Sequence, residues 1–403
     1  MKTKYLILLI LLSMLNLNLT SQNNIKISGK IVDAESGLPI EFANVYLNSV
    51  IQGTVSNNEG NFLLKINPLN SDDSLVISNI GFQTYKQSIK DINSNSTVIF
   101  KLTPLTYCLQ EVSIKPLPDA KEIVKKAMQN MDINYSEEPF LADCYFSEFI
   151  QEDGIYVRAI ELALLQYNKG DFPNPLLVIP MQQIKVLQKR KSADNTKLIK
   201  SPTNRCFSLN YLLVTSNLRN YFYKIGKTKF SLDSITILGN EPVYVITGLN
   251  ENEKTTYFIT QERYKVIQID FQWNVQLPKY KLDDYYFSIN QTNGRLLFKE
   301  SRGKLYPAYT SNRLEINYYQ NKSDTSVWHN QIIFSELLYT NIIIDNVKEI
   351  DKNERLEILA YPNIYKLDIP YNEDYWNNIN FVDESINRKR IYHLINDKSN
   401  KPE

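Results

Sequence analysis

Two glutamates and four charged neighbours form the most reactive set of side chains that the sequence offers. Glu148 and Glu161 lie in neighbouring segments with the composition of β-strands. Two carboxylates in one cleft can divide the roles of acid and base, as in glycoside hydrolysis. Nothing in the sequence fixes their separation, so a network of structural ion pairs is the favoured interpretation. The charged residues expected near the two glutamates are the cations Arg158, Arg190 and Lys191, which can neutralise them, and the acidic Asp194.

The rare residues exclude several other kinds of chemistry. No two of the 12 glycines are closer than Gly53 and Gly60, so the dinucleotide loop GxGxxG, the phosphate loop and the hydrolase elbow GxSxG cannot be present. The only histidines are His329 and His393, so HExxH cannot be present either. The sequence therefore predicts no bound metal, no cofactor and no catalytic residues of these classes.

Composition limits the fold and the partners. A chain of 403 residues exceeds the usual size of one hydrophobic core, which predicts at least two domains. With 45 basic and 44 acidic residues the formal charge is +1, so nucleic acid is not an expected partner. The three cysteines (Cys108, Cys144 and Cys206) lack CxxC spacing, and their pairing stays open.

The first 22 residues have the pattern of a secretory signal peptide. Two lysines precede an apolar run from Tyr5 to Leu15, and small and polar residues follow. The run is shorter than a membrane span, and no later segment reaches that length. We therefore expect an exported protein, periplasmic or associated with the outer membrane, with no transmembrane span in the mature chain.

Residues 23–103 are expected to form a small β-sandwich. Short runs with strand composition alternate with turn residues, and in NFLLKI the side chains of Phe62, Leu64 and Ile66 share one face. About seven strands in under 80 residues indicate a seven-stranded Greek-key sandwich. The segments GKIVDAESGLPIEFANVYL, GTVSNNEGNFLLKI and SLVISNIGFQTY resemble the carboxypeptidase regulatory-like domain, a prealbumin-like β-sandwich frequent in exported Bacteroidetes proteins. The resemblance implies a docking or spacing module without the zinc of a carboxypeptidase.

After a linker at 104–117, residues 118–403 are expected to form a second, larger β-rich domain. Asp119 and Glu122 have the spacing of a capping box before an amphipathic helix that ends near Met131. Successive runs rich in Tyr, Val and Ile then predict a large, curved antiparallel sheet or half-barrel with one or few helices. The chain as a whole is thus predicted to be mainly β.

Two further resemblances concern this second domain. The helix AKEIVKKAMQNMDINY, IELALLQY and the terminal YNEDYWNNINFV are similar to an uncharacterised region that follows the regulatory-like module in Bacteroidetes proteins. The strand pattern from PVYVITGL to TTYFITQERYKVIQ looks like the half-open β-barrel of lipoprotein carriers. That second resemblance implies a concave sheet that could hold an acyl chain.

The favoured function is a non-catalytic exported envelope protein, in which the sandwich docks or spaces and the β-rich domain binds a ligand or partner. The partner is expected to be an envelope protein or an apolar or glycan ligand. One alternative is a carrier of a lipidic ligand in the half-barrel. Another is a glycan or peptide hydrolase that uses Glu148 and Glu161. A cavity of roughly 300 Å³ or more in the second domain would favour ligand binding, and a filled interior would favour a scaffold.

Overall fold

The protein is seen here as a computed structural model that describes most of the chain. The described residues are 24–94, 96–105, 118–136, 138–170, 182–197, 209, 211–213, 217–222, 225–273, 278–282, 284–356, 364–382 and 386–396. The expected signal peptide, most of the expected linker, Cys108 and Cys206 lie outside these ranges. Cys144 is a buried free thiol.

Seven strands build the N-terminal sandwich, as the sequence predicts. They are β1 (Ile25–Asp33), β2 (Asn44–Leu47), β3 (Gly53–Val55), β4 (Asn61–Ile66), β5 (Ser74–Ser78), β6 (Tyr85–Ser88) and β7 (Val98–Leu102). One sheet has the order β4-β1-β7 and the other has the order β3-β2-β5-β6. Phe62, Leu64 and Ile66 do share the buried face of β4, and they pack into the core between the two sheets.

The second domain is one antiparallel sheet of eleven strands. Its order is β10-β9-β8-β18-β17-β16-β14-β13-β12-β11, and β15 pairs with one end of β16. The strands are β8 (Phe140–Glu152), β9 (Ile155–Asn168), β10 (Gln182–Lys191), β11 (Lys229–Leu238), β12 (Glu241–Leu249), β13 (Glu253–Thr260), β14 (Val266–Trp273), β15 (Tyr280–Leu282), β16 (Tyr285–Ser301), β17 (Lys304–Tyr319) and β18 (His329–Ile343). The prediction of a mainly β protein with a large antiparallel sheet is confirmed.

Strand β16 is continuous through the segment NQTNGR, although a polar run with a glycine ordinarily indicates a turn between two strands. Gly294 lies in the interior of this strand. A Cβ at this position would lie 2.1 Å from the backbone oxygen of Ser311 and 2.6 Å from the ring of Phe271. Glycine is therefore present because neighbouring atoms approach the backbone closely, and it does not mark a turn.

The helices whose bounds the structure describes are few, and they cover the two faces of the large sheet. They are α1 (Ala120–Gln129), α2 (Met131–Asn134), α3 (Glu373–Asn378) and α4 (Ile386–Asn396), with short 3₁₀ turns at Pro68–Asn70, Ile89–Asp91, Leu218–Tyr221, Lys352–Glu354 and Ile364–Lys366. Asp119 caps α1 by accepting a hydrogen bond from the backbone N–H of Lys121, while Glu122 pairs with Lys125. The cap is thus present, but the reciprocal bond of the expected capping box is replaced by an ion pair along the helix.

We name the two faces of the large sheet by what packs on them. Ile123 and Val124 of α1 pack among Ile246, Tyr257 and Leu296, and we call this side the helix face. On the opposite side Val55 of the sandwich and Trp376 of α3 pack against Tyr145 and Tyr309, and we call this side the sandwich face. Trp376 is only 4% exposed, so the segment around it anchors the chain to the sheet.

The sandwich is fastened to the sheet by the segment that follows α3. The side-chain oxygen of Asn380 accepts from the backbone N–H of Lys65 (2.6 Å), and its amide donates to the Lys65 carbonyl (3.0 Å). The Lys65 ammonium donates to the Trp376 carbonyl (3.1 Å) and lies 4.5 Å from the ring centre of Phe381. The two domains therefore share a polar and apolar junction on the sandwich face.

Candidate functional site

The six charged residues singled out from the sequence do not form one cluster. Ser147 pairs with Glu161 across β8 and β9, whereas Glu148 pairs with Ile160. Because side chains alternate along a strand, Glu161 lies on the sandwich face and Glu148 on the helix face. The pairing of Glu148 with Glu161 that a hydrolase would need is not formed, since the backbone of the sheet separates the two carboxylates.

Four of the six residues lie together at the helix face. Arg158 donates to Glu148 (3.3 Å), and both side chains are almost fully buried. Asp194 is 4.0 Å from the same guanidinium, and the Lys191 ammonium lies 4.5 Å from the ring centre of Tyr365. Burial and the charge of Asp194 raise the pKa of Tyr365 to about 12. This group is an ion-pair network that fastens the end of β10.

Glu161 and Arg190 form a separate pair on the sandwich face. Glu161 is fully buried, and its two oxygens accept from Tyr145 and from the Arg190 guanidinium. The guanidinium also lies 5.2 Å from the ring centre of Trp376. Both carboxylate oxygens are thus engaged by donors, which suits a structural role.

The Glu161–Arg190 pair is the end of a polar row that crosses nine strands. Each member lies directly opposite the next on a neighbouring strand, and all point to the sandwich face. The row consists of Thr247, Thr256, Asp270, Arg295, Ser311, Glu336, Ser147, Glu161 and Arg190. Six consecutive members, from Thr256 to Ser147, line an open groove.

The groove has a volume of about 920 Å³ and lies between the sandwich and the large sheet. Its wall on the sandwich side includes Phe42, Asn57 and Asn58. The remaining floor comes mainly from a second row beside the first, which reads Lys254, Gln272, Asn293, Arg313, Phe334 and Phe149 across the strands. Most of the lining side chains are polar, and both domains contribute to them.

The ion pair of Arg295 and Asp270 lies at the centre of the groove, and an aromatic ring of the sandwich packs on it. Arg295 donates to both oxygens of Asp270, and its guanidinium lies 5.2 Å from the ring centre of Phe42. Burial disfavours the charge of Arg295, but the hydrogen bonds and charge of Asp270 outweigh it and raise the pKa of Arg295. Phe42 has a φ of +54° and packs on Tyr309 at 5.5 Å. Such a backbone conformation is costly for a bulky residue and is often found at binding sites.

Glu336 is a buried carboxylate that also lines the groove. It accepts from the hydroxyls of Ser147 (2.8 Å) and Tyr309 (3.0 Å). Glu336, Asp270 and Arg295 are not among the site residues that the sequence predicts, because no local pattern specifies the order of the strands that carry them. The sequence of β16 gives no alternation here, because residues 290–293 are all polar, so the pattern alone does not show which of them share a face.

Two negative observations apply to the described part of the chain. Its His, Cys, Asp and Glu side chains include no group of three that could hold a metal ion. No helix within it has the length and apolar character that crossing a membrane requires.

Comparisons with known proteins give one match in sequence and several in structure. None of the curated proteins compared with the chain matches it significantly. A domain named for outer membrane lipoprotein sorting, from Vibrio parahaemolyticus, is 9% identical, with 58% of this chain and 94% of that chain covered at a TM-score of 0.24. A DUF1329 family protein from Desulfovibrio piger is also 9% identical, with 58% and 96% covered at a TM-score of 0.26.

The sequence match falls on the sandwich. It begins at residue 27 within β1 and ends at residue 114, beyond the boundary at 103 that the sequence predicts. Thr103 and Leu105 are hydrogen-bonded to the sandwich: the backbone N–H of Gln83 donates to the Thr103 carbonyl, and the N–H of Leu105 donates to the Gly81 carbonyl. Residues 27–114 match the family described as the CarboxypepD_reg-like domain, and the sandwich is the part of this protein that resembles it.

Proposed function

We propose that this protein is a non-catalytic binding protein of the cell envelope that holds a polar ligand in the groove between its two domains. The observation that carries the proposal is the groove itself. Its volume of about 920 Å³ lies in the upper part of the range of small-molecule sites. The volume exceeds roughly 300 Å³, the lower end of that range, but the groove lies between the two domains and not within the second one, where the sequence-based criterion placed the cavity.

A binding role is supported by the state of the charged groups in and near the groove. The charges of Asp270 and Arg295 neutralise each other, and Glu161 is engaged by Tyr145 and Arg190. The two glutamates proposed for a hydrolase lie on opposite faces of the sheet. An acid and a base must reach the same bond, so this arrangement favours binding over hydrolysis.

A polar ligand is favoured over the acyl chain of the carrier alternative. On the helix face, α1 packs among apolar side chains, and a cavity of about 90 Å³ lies near Met131 and Leu305. That volume is well below the usual size of a small-molecule site. In the groove, an acyl chain would cover polar side chains without replacing their hydrogen bonds to water, which costs free energy.

The sandwich contributes a wall of the site in this proposal, in addition to any docking or spacing. Phe42, Asn57 and Asn58 line the groove, and Val55 is fully buried against the sheet. A spacer would need no such shared surface. Location in the envelope rests on the export signal expected in residues 1–22 and on the resemblance to exported Bacteroidetes proteins.

The experiment compares ligand binding by the mature chain with binding by a variant whose groove is blocked. The mature chain and a Ser311→Trp variant are titrated with neutral oligosaccharides, oligogalacturonate, charged hexapeptides and a dansylated undecanoic acid, and binding is followed by calorimetry. Ser311 lies at the groove floor, so a bulky indole there should abolish binding of a polar probe. Ser323→Trp, in an exposed turn, is the matched control and should leave binding intact.

Two results would contradict the proposal. One is the absence of binding for every polar probe. The other is binding of the undecanoic acid that survives Ser311→Trp, since this would move the ligand site away from the groove and favour the carrier.

A further inference from the structure

We infer that the ligand of the groove is an uncharged oligosaccharide, a chain rich in hydroxyl groups and free of carboxylate and phosphate. This inference rests on the proposed function and names the chemical class that the site selects. Three features of the described residues support it: the balance of charge, the unoccupied amide groups and the aromatic rings beside them.

The charges that line the groove cancel. Three side chains are cationic and three are anionic: Lys254, Arg295, Arg313, Asp270, Glu315 and Glu336. Arg295 pairs with Asp270 at 2.6 Å and Arg313 pairs with Glu315 at 3.2 Å. Lys254 is exposed, and it could pair with one anionic group of a ligand. Every further charge on a ligand would have to break one of the two pairs or be partly desolvated without compensation. An uncharged ligand meets neither cost.

Amide side chains are the most frequent polar type in the groove. Gln272, Gln291 and Asn293 lie on the floor, and Asn58 projects from the sandwich wall. An amide offers a donor and an acceptor together, and a sugar hydroxyl can likewise donate and accept. Among the residues that the structure describes, the side chains of Gln291 and Asn293 have no hydrogen-bond partner, so both are available to a ligand.

The positions of these amides follow from the sheet. Gln272 and Asn293 are directly opposite on β14 and β16, a separation of about 5 Å between strands. Gln291 is two residues from Asn293 on the same strand and the same face, about 7 Å away. The three groups thus form a patch that can contact several hydroxyls of neighbouring sugar units.

Aromatic rings lie on two sides of the amide patch. Phe42 comes from the sandwich wall, and Phe334 lies on the floor beside Arg313, whose guanidinium is 5.7 Å from its ring centre. Small-ligand sites often combine a few oriented polar groups with such apolar surfaces. The C–H groups of a sugar ring would pack on these rings while its hydroxyls meet the amides.

The experiment compares neutral and charged probes on the full mature chain. Cellohexaose, maltohexaose, xylohexaose and mannohexaose are titrated against oligogalacturonate and charged hexapeptides by calorimetry. A Gln291→Ala, Asn293→Ala double variant should weaken binding of the neutral hexasaccharide by tenfold or more, about 1.4 kcal/mol, since it removes two hydrogen-bonding groups. Asn252→Ala, an exposed amide in a turn, is the control.

The outcomes separate this inference from the proposed function. Binding of a neutral hexasaccharide that is lost in the double variant and kept in Asn252→Ala supports the inference. Asn293→Asp, which keeps the side-chain volume, gives a second reading if the double variant is unstable, and it should weaken the same binding. Preference for oligogalacturonate or a peptide, lost on Ser311→Trp, overturns the inference and leaves the proposed function standing. If no probe binds in the groove, both are overturned.

Discussion

Asp270 and Arg295 face each other directly across β14 and β16, and the guanidinium of Arg295 donates to both carboxylate oxygens, at 2.6 and 2.9 Å. The same guanidinium lies over the ring of Phe42 from the other domain. One ion pair therefore connects the floor of the groove to its wall. Changes to either residue should affect both the binding of ligand and the contact between domains.

Asp270→Asn should lower the free energy of unfolding by about 1 kcal/mol, because both partners are roughly one-third exposed and water screens the pair. Urea unfolding measures the change, which should shrink in 1 M salt. Asp345→Asn removes a more exposed pair with Arg302 and is the control. An equal loss in both variants would show that the pair at the groove is no stronger than an ordinary surface pair.

Replacement of Phe42 should reveal the strain in its backbone. Phe42→Ala and Phe42→Gly both lose the contacts with Tyr309 and Arg295. Glycine adopts a φ of +54° freely, so the glycine variant should be more stable than the alanine variant by about 1 kcal/mol. Thermal unfolding compares the two variants. Equal stability would argue that the positive φ is relaxed in solution.

Asn380→Ala should loosen the sandwich from the large sheet. The change removes two hydrogen bonds to the backbone of Lys65 and leaves buried polar groups unsatisfied, a cost of about 1–3 kcal/mol. Hydrogen exchange should increase in β4, where Lys65 lies, while the exposed control Asn377→Ala should leave it unchanged. Unchanged exchange in both variants would contradict the role given to this segment.

Glu161→Gln should reduce stability, with no catalytic consequence. The variant keeps an acceptor for Tyr145 but leaves the Arg190 guanidinium without its buried counter-charge, which we expect to cost about 1–3 kcal/mol. Glu148→Gln disturbs Arg158 on the other face. In the double variant the two losses should add, because the sheet separates the groups. Strong coupling in a double-mutant cycle would mean that the two faces are not independent.

Lys299 should give the protein a measurable pH dependence. Burial lowers the pKa of its ammonium from 10.5 to about 7, and the ammonium donates to the Tyr339 carbonyl (3.0 Å). Between pH 7 and 10.5 the unfolded chain binds a proton that the folded chain does not, so stability should rise with pH. The slope is at most roughly 1.4 kcal/mol per pH unit.

The variant Lys299→Met removes this titration and should flatten the rise between pH 7 and 10.5. Urea unfolding at several pH values measures it, and Lys304→Met, at a less buried position on the next strand, serves as the control. A rise of the same size in the wild-type protein and in Lys299→Met would assign the pH dependence to other groups.

Much of the architecture follows from local patterns. Alternation in β4 predicts which side chains enter the sandwich core, and β-branched and aromatic runs predict most strands of the large sheet. The approximate start and end of α1 follow from Asp119 and from the four-residue spacing of its apolar side chains. These features depend on residues close together in the chain, so the sequence is sufficient to find them.

The candidate site could not be found in the same way. Glu148 and Glu161 are conspicuous in sequence and lie on opposite faces, while Asp270 and Glu336 belong to one polar row although 66 positions separate them. The strand order β18-β17-β16-β14 places two strands between Asp270 and Glu336 and brings both side chains into one groove.

The amino-acid sequence alone predicted a mainly β protein in two parts, with an N-terminal segment that resembles the regulatory-like sandwich and without the GxSxG, phosphate-loop or HExxH motifs. Tertiary structure decided which faces meet, which charges neutralise each other and where a groove remains open. The physical reason is that a strand's own pattern specifies its two faces, whereas hydrogen bonding between distant strands selects the residues that share each face.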